Sequence, residues 1–195
     1  MVLVNRLNVF WGLDWEAVPR NLERSERIDE ANIVIGCVDT RAARAVIRAC
    51  TSHWSRTNYW LEAGNNADSG QFVLGEPLNQ ANRRSRMRLR TVAELFPEIV
   101  DPSLDNDGLP SCSAAESLER QEPFVNQTLS QHALALVARL FRYGTVSQHG
   151  GFINLSTGVS GRLRVDPSLW RRSRGRFKGR PARGVSAGAG QRRVA

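Results

Sequence analysis

The sequence predicts an α/β fold, with a mixed sheet flanked by helices, from three observations. Ile33 to Val38 is a continuous apolar run with the length and β-branching of a strand buried on both faces, as in a parallel sheet. The next residues repeat apolar side chains on one helix face, at Ala43, Val46, Ile47 and Cys50. Segments 58–63 and 71–74 then predict a strand and its antiparallel return, joined by a turn.

Length and composition favour one folded domain. With 195 residues, 41% of them hydrophobic, it can bury one sizeable core. No run approaches the roughly 18 apolar residues of a membrane span. No basic-then-apolar leader is found at Met1, so we expect a cytoplasmic protein with no membrane partner.

The net charge of +8 belongs to the end of the chain. Nine basic residues and no acidic ones lie between Trp170 and Ala195, which leaves a nearly neutral body. That segment has little apolar content, so we predict an ordered domain over 1–167 and a disordered Arg-rich tail over 168–195. Such a tail could hold nucleic acid by counterion release.

Three short helices are predicted outside these strands, two before the central strand and one after the return strand. Leu3, Leu7 and Phe10 suggest a short helix that packs by one side, and the charged segment 21–30 suggests another. Thr91 to Phe96 predicts a short helix stopped by Pro97.

The longest predicted helix begins at Glu122-Pro123, because proline is tolerated in a first turn. Its core stripe consists of Leu129, Ala133, Leu136, Val137 and Leu140. Residues 144–155 then predict two short strands around a turn at His149-Gly150-Gly151.

Asp39 follows the strand predicted to be central, at its carboxyl end. Open α/β sheets bind their ligands at this edge, so Asp39 is a candidate ligand-binding residue. The plainer alternative is that Asp39 or Thr40 only caps the helix that begins there.

The turn over Gly64 to Gly70 is rich in Asn, Asp and Ser. These residues tolerate positive φ and hydrogen-bond their own backbone, so the segment could be no more than a well-made turn. The functional alternative is that Asn65, Asn66 and Asp68 line the same ligand crevice as Asp39.

Segment 82–90 carries five arginines among nine residues. A basic patch of this kind can bind nucleic acid. However, no aromatic side chains alternate with the arginines, which favours a solvated linker or an edge strand protected by charge.

Cys112 is the candidate nucleophile. It precedes Ser113 and Glu116, which have capping-box spacing, and a thiol at a helix N-terminus has a lowered pKa. The alternative is an inert small residue. We predict that Cys37 and Cys50 are buried and less reactive than Cys112. The three cysteines form no CxxC pair, which argues against a structural zinc.

Three motifs carry a family resemblance. The strand-Cys-x-Asp-x-x-x-x-Arg pattern at Cys37, Asp39 and Arg44 resembles the ThiF/MoeB/HesA adenylyltransferases, relatives of the ubiquitin-activating enzymes. Segments 64–75 and 109–116 are similar to the ThiF-family proteins of the PRTRC plasmid system. The likeness runs from about Leu3 to about Pro167.

The resemblance implies a Rossmann-like fold. We expect this chain to lack the first βαβ unit of that fold, and its sequence lacks the zinc-binding CxxC pairs of many relatives. It implies ATP-dependent activation of the C-terminus of a small ubiquitin-like or sulfur-carrier protein, and it allows a homodimer. Asp39 would face Mg²⁺ and the ATP phosphates, Arg44 would support the phosphates or the Asp39 loop, and Cys112 would accept the activated group.

The family's glycine-rich GxGGxG loop, which brings backbone N–H groups to a phosphate, does not occur in the sequence. We therefore expect weak or absent ATP binding by this chain alone. The alternative function is a non-catalytic module of a plasmid-borne system that binds a protein partner or nucleic acid.

Overall fold

The computed structural model describes residues 2–26, 28, 31–105, 121–168 and 170. Five strands form one mixed sheet in the order β1-β2-β3-β4-β5, which confirms the α/β class. The strands are β1 (Ile33–Gly36), β2 (Tyr59–Asn65), β3 (Ser69–Gly75), β4 (Gln148–Asn154) and β5 (Ser160–Arg164). The helices are α1 (Val2–Trp11), α2 (Arg41–Thr51), α3 (Val92–Leu95) and α4 (Val125–Tyr143), with 3₁₀ turns at Pro97–Val100 and Pro102–Leu104.

The first half of the sheet is a βαβ unit. β1 pairs with β2 in parallel, with Ile33 opposite Tyr59, and α2 connects the two strands. Thr40 starts α2 because its side chain accepts a hydrogen bond from the Ala43 amide at 3.1 Å. The parallel pairing brings the carboxyl ends of β1 and β2 to one edge of the sheet.

β1 is an edge strand, which corrects the prediction of a central strand buried on both faces. It ends at Gly36 rather than Val38, and its described pairing is with β2 alone. Ile35 is 50% exposed and Cys37 is also exposed. An apolar run indicates that a strand is partly buried, but it does not indicate how many neighbouring strands the sheet provides.

The remaining strands are antiparallel. β2 and β3 form the predicted hairpin, and β3 pairs onward with β4. The prediction of two strands around His149-Gly150-Gly151 is wrong, because these residues lie inside the single strand β4. A Cβ atom at Gly150 would lie 2.4 Å from the Phe72 carbonyl oxygen, so glycine is needed here for close strand approach and not for a turn.

Helices cover both faces of the sheet. On one face, Ile47 of α2, Trp60 of β2, Val73 of β3 and Val92 of α3 belong to one buried cluster. On the other face lies α4, whose predicted core stripe is buried as expected and whose His132 ring stacks on Phe72 with centroids 6.0 Å apart.

Two predicted helices differ from the structure. α1 forms as predicted, but none of its ten residues is buried. Between residues 21 and 30, the described residues 21–26 and 28 include no helix. Charge periodicity alone is a weak helix signal when no apolar stripe is packed against a neighbour.

The chain divides into a unit that ends at Val165 and a second unit from Asp166 onward. In the second unit, the Trp170 amide donates to the Asp166 carbonyl at 3.3 Å. The described residues contain no helix that is long and apolar enough to cross a membrane.

Candidate functional site

A cavity of about 430 Å³ lies where β1 and β2 end. Asp39 follows β1 and Asn65 ends β2, so the parallel pairing places both residues at this edge. The polar lining consists of Asp39, Arg41, Arg44, Asn65, Asn66, Gln71 and Glu98. Phe96, Ile99 and Phe152 supply the apolar wall. Four of the five residues predicted to bind the cofactor therefore line one cavity.

Arg44 is the most constrained of these residues. Its residue exposure is 8%, and Nε donates to Glu62 Oε1 at 2.6 Å while Nη1 donates to the Asp39 carbonyl at 3.3 Å. A Cβ atom at Gly64 would lie only 2.9 Å from Nη2, so glycine at that position makes room for the guanidinium. Among the described residues, Nη2 has no hydrogen-bond acceptor of its own.

Glu62 holds Arg44 from inside the sheet. It is 0% exposed, and Trp60 Nε1 donates to Oε2 at 3.1 Å. A Cβ atom at Gly36 would lie 2.1 Å from Oε2, so the absence of a side chain on β1 leaves room for this carboxylate. Burial raises the pKa of Glu62 to about 7 despite the opposing attraction of Arg44.

The Asp39 carboxylate is exposed and accepts no hydrogen bond within the described parts of the chain. The alternative that Asp39 caps α2 is wrong, because Thr40 is the N-cap residue. A carboxylate with no structural partner at the mouth of a polar cavity is free to contact a ligand.

The N-terminus of α2 has an anionic partner that the sequence did not suggest. The Asp105 carboxylate accepts hydrogen bonds from the Arg41 and Ala42 amides, both at 2.9 Å. These bonds, together with the positive charge of Arg41, hold the pKa of Asp105 below its ordinary value. Asp105 thus occupies the position where a helix N-terminus would bind an external anion.

Of the three residues in the turn between β2 and β3 that were predicted to line the crevice, two do so and one does not. Asn65 Nδ2 donates to the Asn66 carbonyl at 3.1 Å, and both residues line the cavity. Asp68 does not line it: its carboxylate accepts from Ser156 Oγ at 2.7 Å, which joins this turn to the turn between β4 and β5. That bond lowers the pKa of Asp68. Asp68 is therefore placed to stabilise the two turns.

Cys112 and the segment around it lie outside the described residues, so its role stays a prediction. Of the other thiols, Cys50 is buried and its Sγ donates to the Glu23 carbonyl at 3.1 Å, whereas Cys37 is exposed. The prediction that Cys37 is buried is wrong, because the edge position of β1 opens the strand end. Desolvation and the charge of Glu62 nevertheless raise the pKa of the Cys37 thiol.

The cavity offers two carboxylates to a cation, Asp39 and Glu98. Within the described ranges there is no group of three or more His, Cys, Asp or Glu residues that could hold a metal. Mg²⁺ is commonly held by one or two carboxylates together with water and substrate phosphates. The donor set fits a magnesium ion that enters with a phosphorylated ligand, and it does not fit a metal held by protein side chains alone.

Sequence reasoning missed Glu62, Glu98 and Asp105. Glu62 gave one signal, because a single carboxylate inside the apolar strand Tyr59–Asn65 needs a buried partner. Asp105 gave none, because it contacts a helix that begins more than sixty residues earlier.

Comparisons with known proteins do not identify a family. No protein-family model matches the chain, and no curated protein matches it.

Proposed function

We propose that the cavity at the ends of β1 and β2 binds the phosphates of a nucleotide with Mg²⁺, as part of an adenylyltransferase-type site. The observation that carries this proposal is the meeting of Asp39, Arg44, Asn65 and Asn66 around one polar cavity. The fold would then be Rossmann-like and ThiF-type, with the ligand outside the carboxyl ends of parallel strands.

In this proposal each residue has a separate task. Asp39, whose carboxylate accepts no hydrogen bond from any described residue, would hold the magnesium ion that accompanies the phosphates. Arg44 would present Nη2 to a phosphate oxygen while Glu62 keeps the guanidinium in place. The amide side chains of Asn65 and Asn66 would orient the ligand. Asp68 would act only through the geometry of the turn.

The proposed reaction is the activation of a carrier protein's C-terminal carboxylate. The substrate would be a small ubiquitin-like or sulfur-carrier protein, whose C-terminal carboxylate would attack the α-phosphate of ATP and release pyrophosphate. The Cys112 thiolate would then attack the acyl carbon of the adenylate, forming a thioester and releasing AMP. No glycine-rich phosphate loop occurs in the sequence, so the nucleotide would bind weakly to this chain alone.

The test is ³¹P NMR of Mg²⁺–ATP titrated with the full chain, using broadening of the phosphate signals relative to Mg²⁺–ATP without protein, because this readout detects weak binding. We expect broadening of the phosphate signals by the native chain and its loss in Asp39→Asn. Asp14→Asn is the matched control and should behave as native, because Asp14 is exposed and is not part of the cavity lining. Equal broadening by native and Asp39→Asn would refute the proposal.

Calorimetry tests the expected weakness separately. We expect no micromolar affinity for ATP with Mg²⁺. A micromolar affinity that Asp39→Asn abolishes would support the site and contradict the expectation that the missing loop is needed.

One observation favours the second candidate, a non-catalytic binding module. Asp105 already occupies the amides at the N-terminus of α2, so those amides do not offer a phosphate a free anion site. If the native chain does not broaden the phosphate signals of Mg²⁺–ATP, this candidate is the better description of the cavity.

A further inference from the structure

We propose that the chain binds single-stranded nucleic acid at a second cleft, formed at the other end of α2. This cleft, of about 380 Å³, lies beside the last turn of that helix. His53, Trp54, Leu78, Asn79, Gln80 and Arg83 line it. Its volume lies within the roughly 300–1,000 Å³ range of ligand pockets.

The first argument is the combination of an aromatic side chain with arginines. Trp54 is 72% exposed, although a large apolar ring is normally covered in a folded protein. Arg83, on the facing loop, is also exposed. Segment 82–90 carries no aromatic residue of its own, and only folding brings Trp54 to it.

The second argument is that the arginines of this segment divide into two groups. Arg88 and Arg90 bind the Glu94 carboxylate, with Arg88 in bidentate contact at 2.6 and 2.8 Å. The exposed arginines Arg83, Arg84 and Arg86 form no ion pair with any described residue. Their charges are therefore available to an external anion.

The third argument is that a buried polar network holds the two loops in one arrangement. Asn79 is 2% exposed, and its Nδ2 donates to the carbonyls of Thr51 and Thr57 at 3.0 and 2.8 Å. Asn82 Nδ2 donates to the Asn58 and Pro77 carbonyls at 2.9 and 3.1 Å. These bonds fix the loop that carries Trp54 against the loop that carries Arg83.

His53 is part of the same frame. Its backbone has φ of 52°, a left-handed conformation that is uncommon for residues other than glycine. Its amide donates to the Leu78 carbonyl at 3.2 Å, and the Gln80 amide donates to its carbonyl at 3.1 Å. These backbone hydrogen bonds hold His53 in this conformation and so fix the direction of the chain at Trp54. The cleft is therefore preorganised.

A single strand of nucleic acid fits this surface better than an acidic peptide does. Every base has a π-face that can stack on Trp54 or His53, and the phosphates can pair with Arg83, Arg84 and Arg86. An acidic peptide would use the arginines and leave the exposed indole without a partner. The bases of a duplex are already stacked, so only an unpaired strand can use the ring.

The test is fluorescence anisotropy with the full chain and two labelled oligonucleotides of about 15 nucleotides, one of thymidine and one abasic. The Arg-rich tail is present in every sample, so its contribution is unchanged throughout. We expect native protein to prefer the thymidine strand. Trp54→Ala should weaken its binding roughly 5- to 100-fold with little effect on the abasic strand. The control Trp11→Ala removes another exposed indole and should leave binding unchanged.

The arginines are tested with a matched triple substitution. R83Q/R84Q/R86Q should weaken the binding of both oligonucleotides. It should also reduce the slope of log affinity against log salt by about 2. R24Q/R162Q/R164Q removes the same charge from exposed positions elsewhere and should leave the slope near native.

Three results would overturn the proposal. The first is no binding of the thymidine strand at about 50 mM salt. The second is an unchanged preference for bases in Trp54→Ala. The third is a competition result: polyglutamate displaces the thymidine strand equally well from native protein and from Trp54→Ala. That result would assign the surface to acidic peptides.

Discussion

The two ends of α2 use arginine in opposite ways. At the N-terminal end, Arg41 contacts Asp105 and Arg44 contacts Glu62, so both charges already have carboxylate partners. At the C-terminal end, about 16 Å away by helix rise, Arg83 lines a cleft beside Trp54 and pairs with no described carboxylate. The difference is that the first end fixes its arginines in the structure and the second exposes them.

The contrast teaches that the number of arginines does not identify a binding surface. A guanidinium held by a buried carboxylate has a fixed position, which suits a cavity where one atom must face one ligand group. A guanidinium without a partner keeps its rotamer freedom, which suits a polymer bound in several registers. The predictions below test this contrast through stability.

The largest effect is expected from Arg44→Met. It leaves Glu62 buried without its cation, and we expect the free energy of unfolding to fall by about 3–5 kcal/mol near pH 8. Urea denaturation measures this change. Arg41→Met is the control, because its pair with Asp105 is partly exposed and separated by 3.7 Å, and it should lose only a small part of that amount. Equal losses would show that the two arginines are held alike.

The same pair predicts a pH dependence. The folded pKa of Glu62, about 7, lies above its ordinary value of 4.5, so the folded state binds this proton more tightly. The contribution of Glu62 should therefore favour folding below about pH 4.5 and decline as pH rises to about 7. Arg44→Met should lose less stability at pH 5 than at pH 8.

An intermediate effect is expected from Glu94→Gln. This carboxylate accepts hydrogen bonds from Arg88 and Arg90, and from the Thr91 amide in a capping box. Burial alone would raise its pKa, but the bonds from Arg88, Thr91 and Arg90 lower the pKa to about 2. We expect a loss of about 2–3 kcal/mol at pH 7, measured by urea denaturation.

The contribution of Glu94 to stability depends on pH in the opposite direction to that of Glu62. The stabilisation by Glu94 is complete above about pH 4.5 and declines as pH falls toward about 2. Glu94→Gln should remove this decline. Glu98→Gln, an exposed position on the cavity wall, should change stability by at most about 0.5 kcal/mol. A variant of Glu94 that keeps the native acid profile would contradict the assignment.

The smallest effect is expected from Arg84→Gln. Because Arg84 has no ion-pair partner in the described structure, its loss should leave the free energy of unfolding within about 0.5 kcal/mol of native. Arg88→Gln, four residues later, should be clearly destabilising, because Arg88 is buried against Glu94. Thermal melts of the two variants compare them directly. Equal melting temperatures would remove the distinction between paired and unpaired arginines.

The sequence by itself determined the local elements. The spacing of Ala43, Val46, Ile47 and Cys50 predicted α2, and the stripe from Leu129 to Leu140 predicted α4 with its buried face. Strand polarity also placed Asp39 and Asn65 at one edge of the sheet, because parallel strands end together. These features depend on residues that are close in the chain or on the direction of the chain.

Only the tertiary structure decided which strand was an edge and which residues met across distance. β1 lies at the edge, so Ile35 and Cys37 are exposed. Gly150 lies inside β4, at a position where the close approach of the β3 backbone requires glycine. The contact of Asp105 with α2 and that of Arg83 with the Trp54 cleft join residues far apart in sequence. Periodicity describes one element and its burial, whereas these contacts depend on how separate elements pack.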